Sequence, residues 1–363
     1  MAVQDLGIFF SEDDQTTFRY HFSRLTSYTS DNWSYYLDAD SFNNSRHQRR
    51  VACFHIPFPY HDKIDRTIDA IYDQADIIII LGSEVHPRIV DFMRRYDRPK
   101  ICWFICGALN NGLMNSRVYN LMDWFITTTH FYKVVRPSIL FDLTPYTPKP
   151  LMFDALLGRK KPHRDQAYDF IKGNGLDKQG IVTYINDHSI NFKTTSEDNW
   201  IWPTGEMSGH DNVEWTVDRV DYYGYKMSLS QIIPMDIYNQ TAYSLVCETN
   251  FENDYVFFTE KTVKPIIGRR LFIMVGHRYA LRQLRNMGFK TFNSIIDESY
   301  DELERPIERH AAALEQLRWL CQQDQQTILD QVKEIADHNF NHMMGYDWYG
   351  EFSGPLSRIL LKN

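Results

Sequence analysis

The stretch from Tyr243 to Gly276 constrains the fold of this chain more than any other. Tyr243 to Cys247 and Leu271 to Val275 are short apolar runs that read as buried strands, and Thr259 to Ile267 between them reads as a short helix. The N-terminus of that helix faces the loop holding Glu252. It offers unsatisfied N–H groups and the positive end of a dipole to an anion such as a phosphate. Lys261 and Lys264 add positive charge there, and Glu260 is placed to accept hydrogen bonds from ribose hydroxyls.

The same alternation runs through the rest of the chain. Val51 to Ile56, Ile77 to Leu81 and Ile101 to Cys106 read as strands, with a helix from Asp62 to Ala75 and another starting at Pro87. Ile64, Ile68, Ile71 and Ala75 fall at helical spacing, and Asp62 is the expected N-cap. A further strand is expected around Trp124 to Thr128. Continuous apolar strands separated by helices indicate a parallel sheet covered on both faces. Thr144-Pro-Tyr-Thr-Pro-Lys-Pro150 can continue neither helix nor central strand and is the expected linker. Beyond it Leu151 to Leu157 reads as strand, Asp165 to Lys172 as helix and Ile181 to Asn186 as strand. Residues 187–230 show no clean period and read as an elaborated loop. Ile307, Ala311, Leu314, Leu317, Ile328, Val332 and Ile335 mark one apolar face of a helical C-terminal segment.

A second basic feature, Leu157-Gly-Arg-Lys-Lys-Pro-His-Arg-Asp165, sits between an expected strand and an expected helix. Ligands of open α/β sheets bind at the carboxyl ends of strands, so this loop lies on the ligand edge, and Arg159, Lys161 and Arg164 are candidates for a pyrophosphate. Glu84, in Leu81-Gly-Ser-Glu-Val-His-Pro87, occupies the same kind of position in the first half. Gly107 and Gly112 follow the strand ending at Cys106 and would admit close backbone approach. The G-x-G-x-x-G, P-loop and serine-elbow patterns are absent, which argues against a dehydrogenase, a kinase and an esterase.

Phe251-Glu252-Asn253, Tyr255-Val256 and Thr259-Glu260-Lys261 resemble the donor-site motif of α1,3-fucosyltransferases, with Phe257 and Phe258 inserted before the threonine. The spacing of Glu252 and Glu260 is also similar to the E-x7-E pattern of several GT-B glycosyltransferases. About thirty residues carry this likeness. It implies an α/β GT-B fold: two Rossmann-like domains with parallel sheets facing across a cleft, and a helical C-terminal segment packing back across them. The expected bounds are 1–145 for an acceptor domain, 146–303 for a nucleotide-sugar domain and 304–363 for the helical segment. The resemblance implies transfer of a sugar from a nucleotide-sugar co-substrate to a glycan or other hydroxyl acceptor, with neither cofactor nor metal. Donor contacts would come from Glu252, Tyr255, Thr259, Glu260, Lys261 and Lys264, together with Arg159, Lys161 and Arg164. Tyr255 would stack on base or sugar. Glu84 is the candidate general base of an inverting reaction, with His55 and His61 as competitors. The fucosyltransferase likeness favours a GDP-sugar and inversion, whereas E-x7-E enzymes are often retaining, and both stereochemistries stand. The whole chain also resembles proteins of tailed marine phages that share Leu156 to Asp165 and Asp236 to Leu245.

Composition sets the remaining bounds. A net charge of -8 argues against a broad polyphosphate-binding face. One alternative nonetheless takes phage DNA as the acceptor, with Arg46 to Arg50 and Trp200, Trp202 and Trp215 lining its groove. Another is a non-catalytic structural or host-interaction protein on the same fold. Cys53, Cys102, Cys106, Cys247 and Cys321 lie mostly in apolar runs and are odd in number, which predicts reduced, buried thiols. Met1 to Phe10 lacks a secretory pattern, and no uncharged run approaches the length of a membrane span. The expected location is the cytoplasm, that of the host for a viral protein.

Overall fold

Strands that are apolar on both faces need helices on both sides, and among the described residues the chain builds two large sheets of such strands and one small hairpin. The computed structural model describes residues 5–10, 33–56, 63–82, 89–109, 117–159, 161–185, 192–194, 219–251 and 255–361. Unit 1 comprises Met1–Asp123, Asn253–Tyr255 and Asp347–Asn363, and unit 2 comprises Trp124–Glu252 and Val256–Tyr346. Each is an α/β unit built on a mainly parallel sheet, the GT-B-like architecture expected from the sequence. The proline-rich stretch 144–150 lies within unit 2.

Unit 1 carries six parallel strands in the order β2-β1-β3-β4-β5-β6. They are β1 (Leu6–Phe10), β2 (Trp33–Tyr36), β3 (Arg49–Ile56), β4 (Ile77–Gly82), β5 (Ile101–Cys106) and β6 (Arg117–Leu121). Helices α1 (Ala39–Asn43), α2 (Lys63–Ile71) and α3 (Ile89–Arg95) accompany them. Ile68 and Ile71 of α2 are buried, as their spacing requires, and β4 and β5 are buried along their whole lengths. The order reverses between β1 and β3, where a doubly wound sheet opens its ligand crevice. The connections leaving β1 and β3, residues 11–32 and 57–62, lie outside the described residues.

The expected strand at Trp124 to Thr128 is instead part of helix α4 (Asp123–His130). Aromatic and β-branched residues favour a strand locally, but tertiary packing overrides that preference. Phe125, Ile126, Thr128 and Thr129 are buried at helical spacing, and the Thr129 hydroxyl donates back to the carbonyls of Phe125 and Ile126.

Unit 2 is organised around the order β13-β12-β7-β8-β9, with only the β8–β9 pair antiparallel. Its strands are β7 (Leu151–Arg159), β8 (Gly180–Ile185), β9 (Phe192–Thr194), β12 (Thr241–Cys247) and β13 (Phe272–Val275). The helices are α5 (Pro162–Gly173), α6 (Met235–Gln240), α7 (Glu260–Ile267), α8 (Ala280–Asn286), α9 (Pro306–Leu320) and α10 (Gln325–Gly345). Within the expected loop 187–230 the chain forms a hairpin, β10 (Arg219–Tyr222) and β11 (Tyr225–Ser228). Tyr223 and Gly224 turn it with φ of 51° and 84°, the primed geometry that matches strand twist. Four-residue strands are too short to show a period in the sequence.

The pairing of β7 with β12 is fixed by a buried ion pair. Asp154 stands opposite Ser244 in the register, and its carboxylate accepts from Arg270 at 2.6 Å and from the hydroxyls of Thr241 and Ser244 at 3.1 and 3.0 Å. Arg270 also donates to the carbonyls of Tyr238, Thr241 and Tyr243 and lies 4.2 Å from the Tyr238 ring centroid. With both charges out of water, these bonds are what makes the pair tolerable.

The C-terminal apolar segment resolves into three helices. In α9 and α10, Leu314, Leu317, Ile328 and Val332 are buried as expected, but Ile307, in the first turn of α9, is 68% exposed. The last helix, α11 (Trp348–Leu361), belongs to unit 1. There Phe352 meets Phe104 at 5.2 Å between ring centroids, and the Ile359 carbonyl accepts from Arg49. All five cysteines are buried, and none is in a disulfide bond.

Candidate nucleotide-binding site

Strand order places the site. From β7 the chain runs through α5 to β8, and from β12 through α7 to β13; β8 and β13 lie on opposite sides of the adjacent β7–β12 pair. The two connections therefore leave neighbouring strand ends in opposite directions and open a crevice at their carboxyl edge. Right-handed crossovers that run in opposite directions place α5 and α7 on opposite faces of the sheet.

Glu248 is the first residue beyond β12, held by its own N–H to the Val275 carbonyl at 3.0 Å. Its side chain is buried, and each carboxylate oxygen accepts one backbone N–H and one hydroxyl. Oε1 takes Thr259 N at 3.0 Å and Thr262 Oγ1 at 2.6 Å; Oε2 takes Thr249 N at 3.1 Å and Thr259 Oγ1 at 2.6 Å. Thr259 is the N-cap of α7, and its hydroxyl also accepts from Lys261 N at 3.3 Å. One buried carboxylate thus anchors the start of α7 and favours its positive dipole end.

Cations from both loops gather at the same point. Lys161, which precedes α5, donates to the Thr249 carbonyl at 2.5 Å. Lys261 donates to Thr249 Oγ1 at 3.2 Å and to Glu260 Oε1 at 2.6 Å. Arg164 and Lys264 are buried, and Arg164 lies within the electrostatic reach of Glu248 and Glu260. Burial pushes the Glu260 carboxyl upward, but Lys261 and Lys264 more than offset it, and it sits below its ordinary range. Burial brings the Lys264 ammonium down to about 8, against the pull of Glu260. Lys161, Arg164, Lys261 and Lys264 face Glu248 and Glu260, an excess of positive charge that suits a bound diphosphate.

His163 joins the two loops. Its Nε2 donates to the Glu248 carbonyl at 2.7 Å, and its ring packs 4.6 Å from that of Phe251. Burial, then the nearby Arg164, lowers its pKa to about 2, so the imidazole is neutral and its role is positional.

The structure brings Lys161, Arg164, Thr259, Glu260, Lys261 and Lys264 to this edge. Arg159 ends β7 opposite Ile185, with its side chain outside the described residues. Glu252 and Glu84 lie outside the described residues, as do His61, Gly112, the side chain of His55 and the three tryptophans at 200, 202 and 215. Tyr255, Phe257 and Phe258 are buried, and Phe258 packs near Phe125 with 6.1 Å between centroids. Arg49 and Arg50 of the Arg46 to Arg50 cluster are engaged locally, Arg49 with the Ile359 carbonyl and Arg50 with Asp76 and Gln74. Glu248, Thr249, Thr262 and His163 were not among the sequence candidates. Glu248 had a readable signal, as an acid directly following an apolar run on the ligand edge.

Among the described residues no three His, Cys, Asp or Glu side chains are grouped to hold a metal ion, and no helix is long and apolar enough to cross a membrane. No protein-family model, curated protein or solved structure matches the chain, so a functional assignment rests on this geometry.

Proposed function

We propose that the chain is a glycosyltransferase that takes a sugar from a nucleotide-sugar donor, a GDP-sugar by preference, and passes it to a hydroxyl acceptor with inversion. The observation that carries the reading is the convergence of Lys161 and Lys261 on Thr249, at the point where the connections of β7 and β12 diverge. In this reading the donor diphosphate sits at that edge, where Lys161, Arg164, Lys261 and Lys264 neutralise charge that grows as the sugar–phosphate bond breaks. Glu260 accepts from the ribose. Arg159, Glu252 and Tyr255 complete the donor contacts, and Glu84 takes the proton of the attacking hydroxyl.

The test is a thermal-shift screen of UDP, GDP, CDP and ADP and their sugars, run on wild type and Lys261→Ala. A ligand selective for the native state stabilises it by about 2.7 kcal/mol at a hundred times its dissociation constant, well within the resolution of such a screen. Removing one charge-assisted bond of about 1.5–3 kcal/mol weakens binding by about 10- to 150-fold, so the shift for one nucleotide should collapse in the variant. No shift with any nucleotide would refute the reading and favour a non-catalytic protein.

A further inference from the structure

Beside the donor cluster stands a second cationic feature that the proposed function does not use. Gly276 follows β13, and a Cβ placed on it would lie 3.5 Å from the Glu248 Cβ, so the loop after β13 adjoins the edge just described. Three residues on, Tyr279 holds a left-handed backbone with φ of 66°, a conformation that non-glycine residues rarely adopt. Its N–H donates to the Asp301 carbonyl at 2.8 Å. The Arg278 and Arg282 guanidiniums both lie against its ring, 4.5 and 3.5 Å from the centroid. Arg282 is exposed and Arg278 half-buried.

Neither guanidinium belongs to an ion pair among the described residues. Arg278 spends its Nε on the Glu302 carbonyl at 2.9 Å. Asp301, the acid whose field Arg282 feels, turns its carboxylate onto the N–H groups of Leu281 and Arg282, each at 2.9 Å. Two like charges are therefore held around one aromatic ring on the ligand edge, and neither is in an ion pair among the described residues. Planar forks held in this way fit the oxygens of a carboxylate or phosphate.

We infer that Arg278, Tyr279 and Arg282 form an anion-binding subsite next to the donor diphosphate, which recognises a carboxylate or phosphate carried by the second substrate. The inference rests on the proposed transfer reaction and makes its acceptor an acidic one.

The experiment titrates glucuronate and orthophosphate, with glucose as neutral control, into the full chain saturated with inorganic pyrophosphate. Both anions should bind wild type, and glucose should not. Arg282→Gln, a change at an exposed side chain, and the double variant Arg278→Gln/Arg282→Gln should weaken them by about tenfold or more, while pyrophosphate affinity stays within about twofold. Lys261→Ala should do the reverse. The subsite is refuted if wild type binds neither anion, or if the arginine variants weaken pyrophosphate as strongly as Lys261→Ala does, which would assign the arginines to the diphosphate. Should pyrophosphate itself fail to bind, the donor reading falls, and the same titrations on the unliganded protein still decide the subsite.

Discussion

Replacing Glu248 by glutamine tests how the start of α7 is held. The substitution keeps shape and volume but turns one acceptor oxygen into an amide donor. Each oxygen now accepts one backbone N–H and one hydroxyl. Hydroxyls can rotate and become acceptors, whereas the N–H groups of Thr249 and Thr259 cannot. Either orientation of the glutamine therefore leaves one backbone N–H facing another donor, at a cost of about 1–3 kcal/mol for an unsatisfied buried group. The surviving bonds also lose their charge assistance, which brings the expected total to about 2–4 kcal/mol. For a unit of this size each kcal/mol lowers the melting point by about 2–4 °C, so Glu248→Gln should melt roughly 5–15 °C below wild type. Calorimetry or circular dichroism would measure it, and nucleotide affinity should fall in parallel because Lys261 and Thr259 move with the loop. A variant melting within about 1 °C of wild type would show that the carboxylate does not anchor the loop, and the account of the site would fail with it.

The buried ion pair should prove less forgiving. Asp154→Asn leaves Arg270 charged and uncompensated, with an expected loss of about 3–5 kcal/mol in denaturant unfolding; joint replacement of both residues by apolar ones should recover most of it. Lys264 makes a pH signature. Its folded-state pKa, about 8, lies below the ordinary lysine value of 10.5, so between those limits the unfolded chain binds more protons and this group's contribution to stability rises with pH. The difference in stability between wild type and Lys264→Met should narrow over that window, if wild type is the less stable at neutral pH. Over the same window diphosphate affinity should fall in wild type, because the cation is the binding form, and Lys264→Met should lack that fall. An affinity profile unchanged by the substitution would exclude Lys264 from the site.

The sequence showed the central strands of both sheets, as at Ile77 to Leu81 and Ile101 to Cys106, whereas β1, β2, β6 and β9 were not read from it. It misread Trp124 to Thr128 because aromatic and β-branched residues carry strand preference whatever their packing, and the outcome was decided by the four residues that α4 buries. The hairpin at Arg219 to Ser228 was hidden by its brevity. At the site, Lys161, Glu260 and Lys261 were legible as charges at strand and helix boundaries. Glu248 was passed over although it directly follows an apolar run, because three of its four hydrogen-bond donors lie across the loop after β12 rather than beside it. Its partners, Thr259 and Thr262, come from the far side of that loop.

What no local pattern reveals is that β7 and β12 are neighbours, and the site depends on that adjacency. Two isolated charges nevertheless carried the information. Asp154 interrupts the apolar run of β7, and Arg270 stands directly before that of β13. A charge inside a strand with both faces covered is tolerable only when a counter-charge and further hydrogen bonds meet it, so each implies a distant partner. Arg270 is the partner of Asp154, and the pair fastens β7 against β12 while the chain between them builds β8 and its neighbours. That insertion makes the order reverse, and the reversal sends the loops carrying Lys161 and Lys261 out from adjacent strand ends. The cations meet at Thr249 because a buried salt bridge elsewhere in the same sheet sets which strands lie side by side.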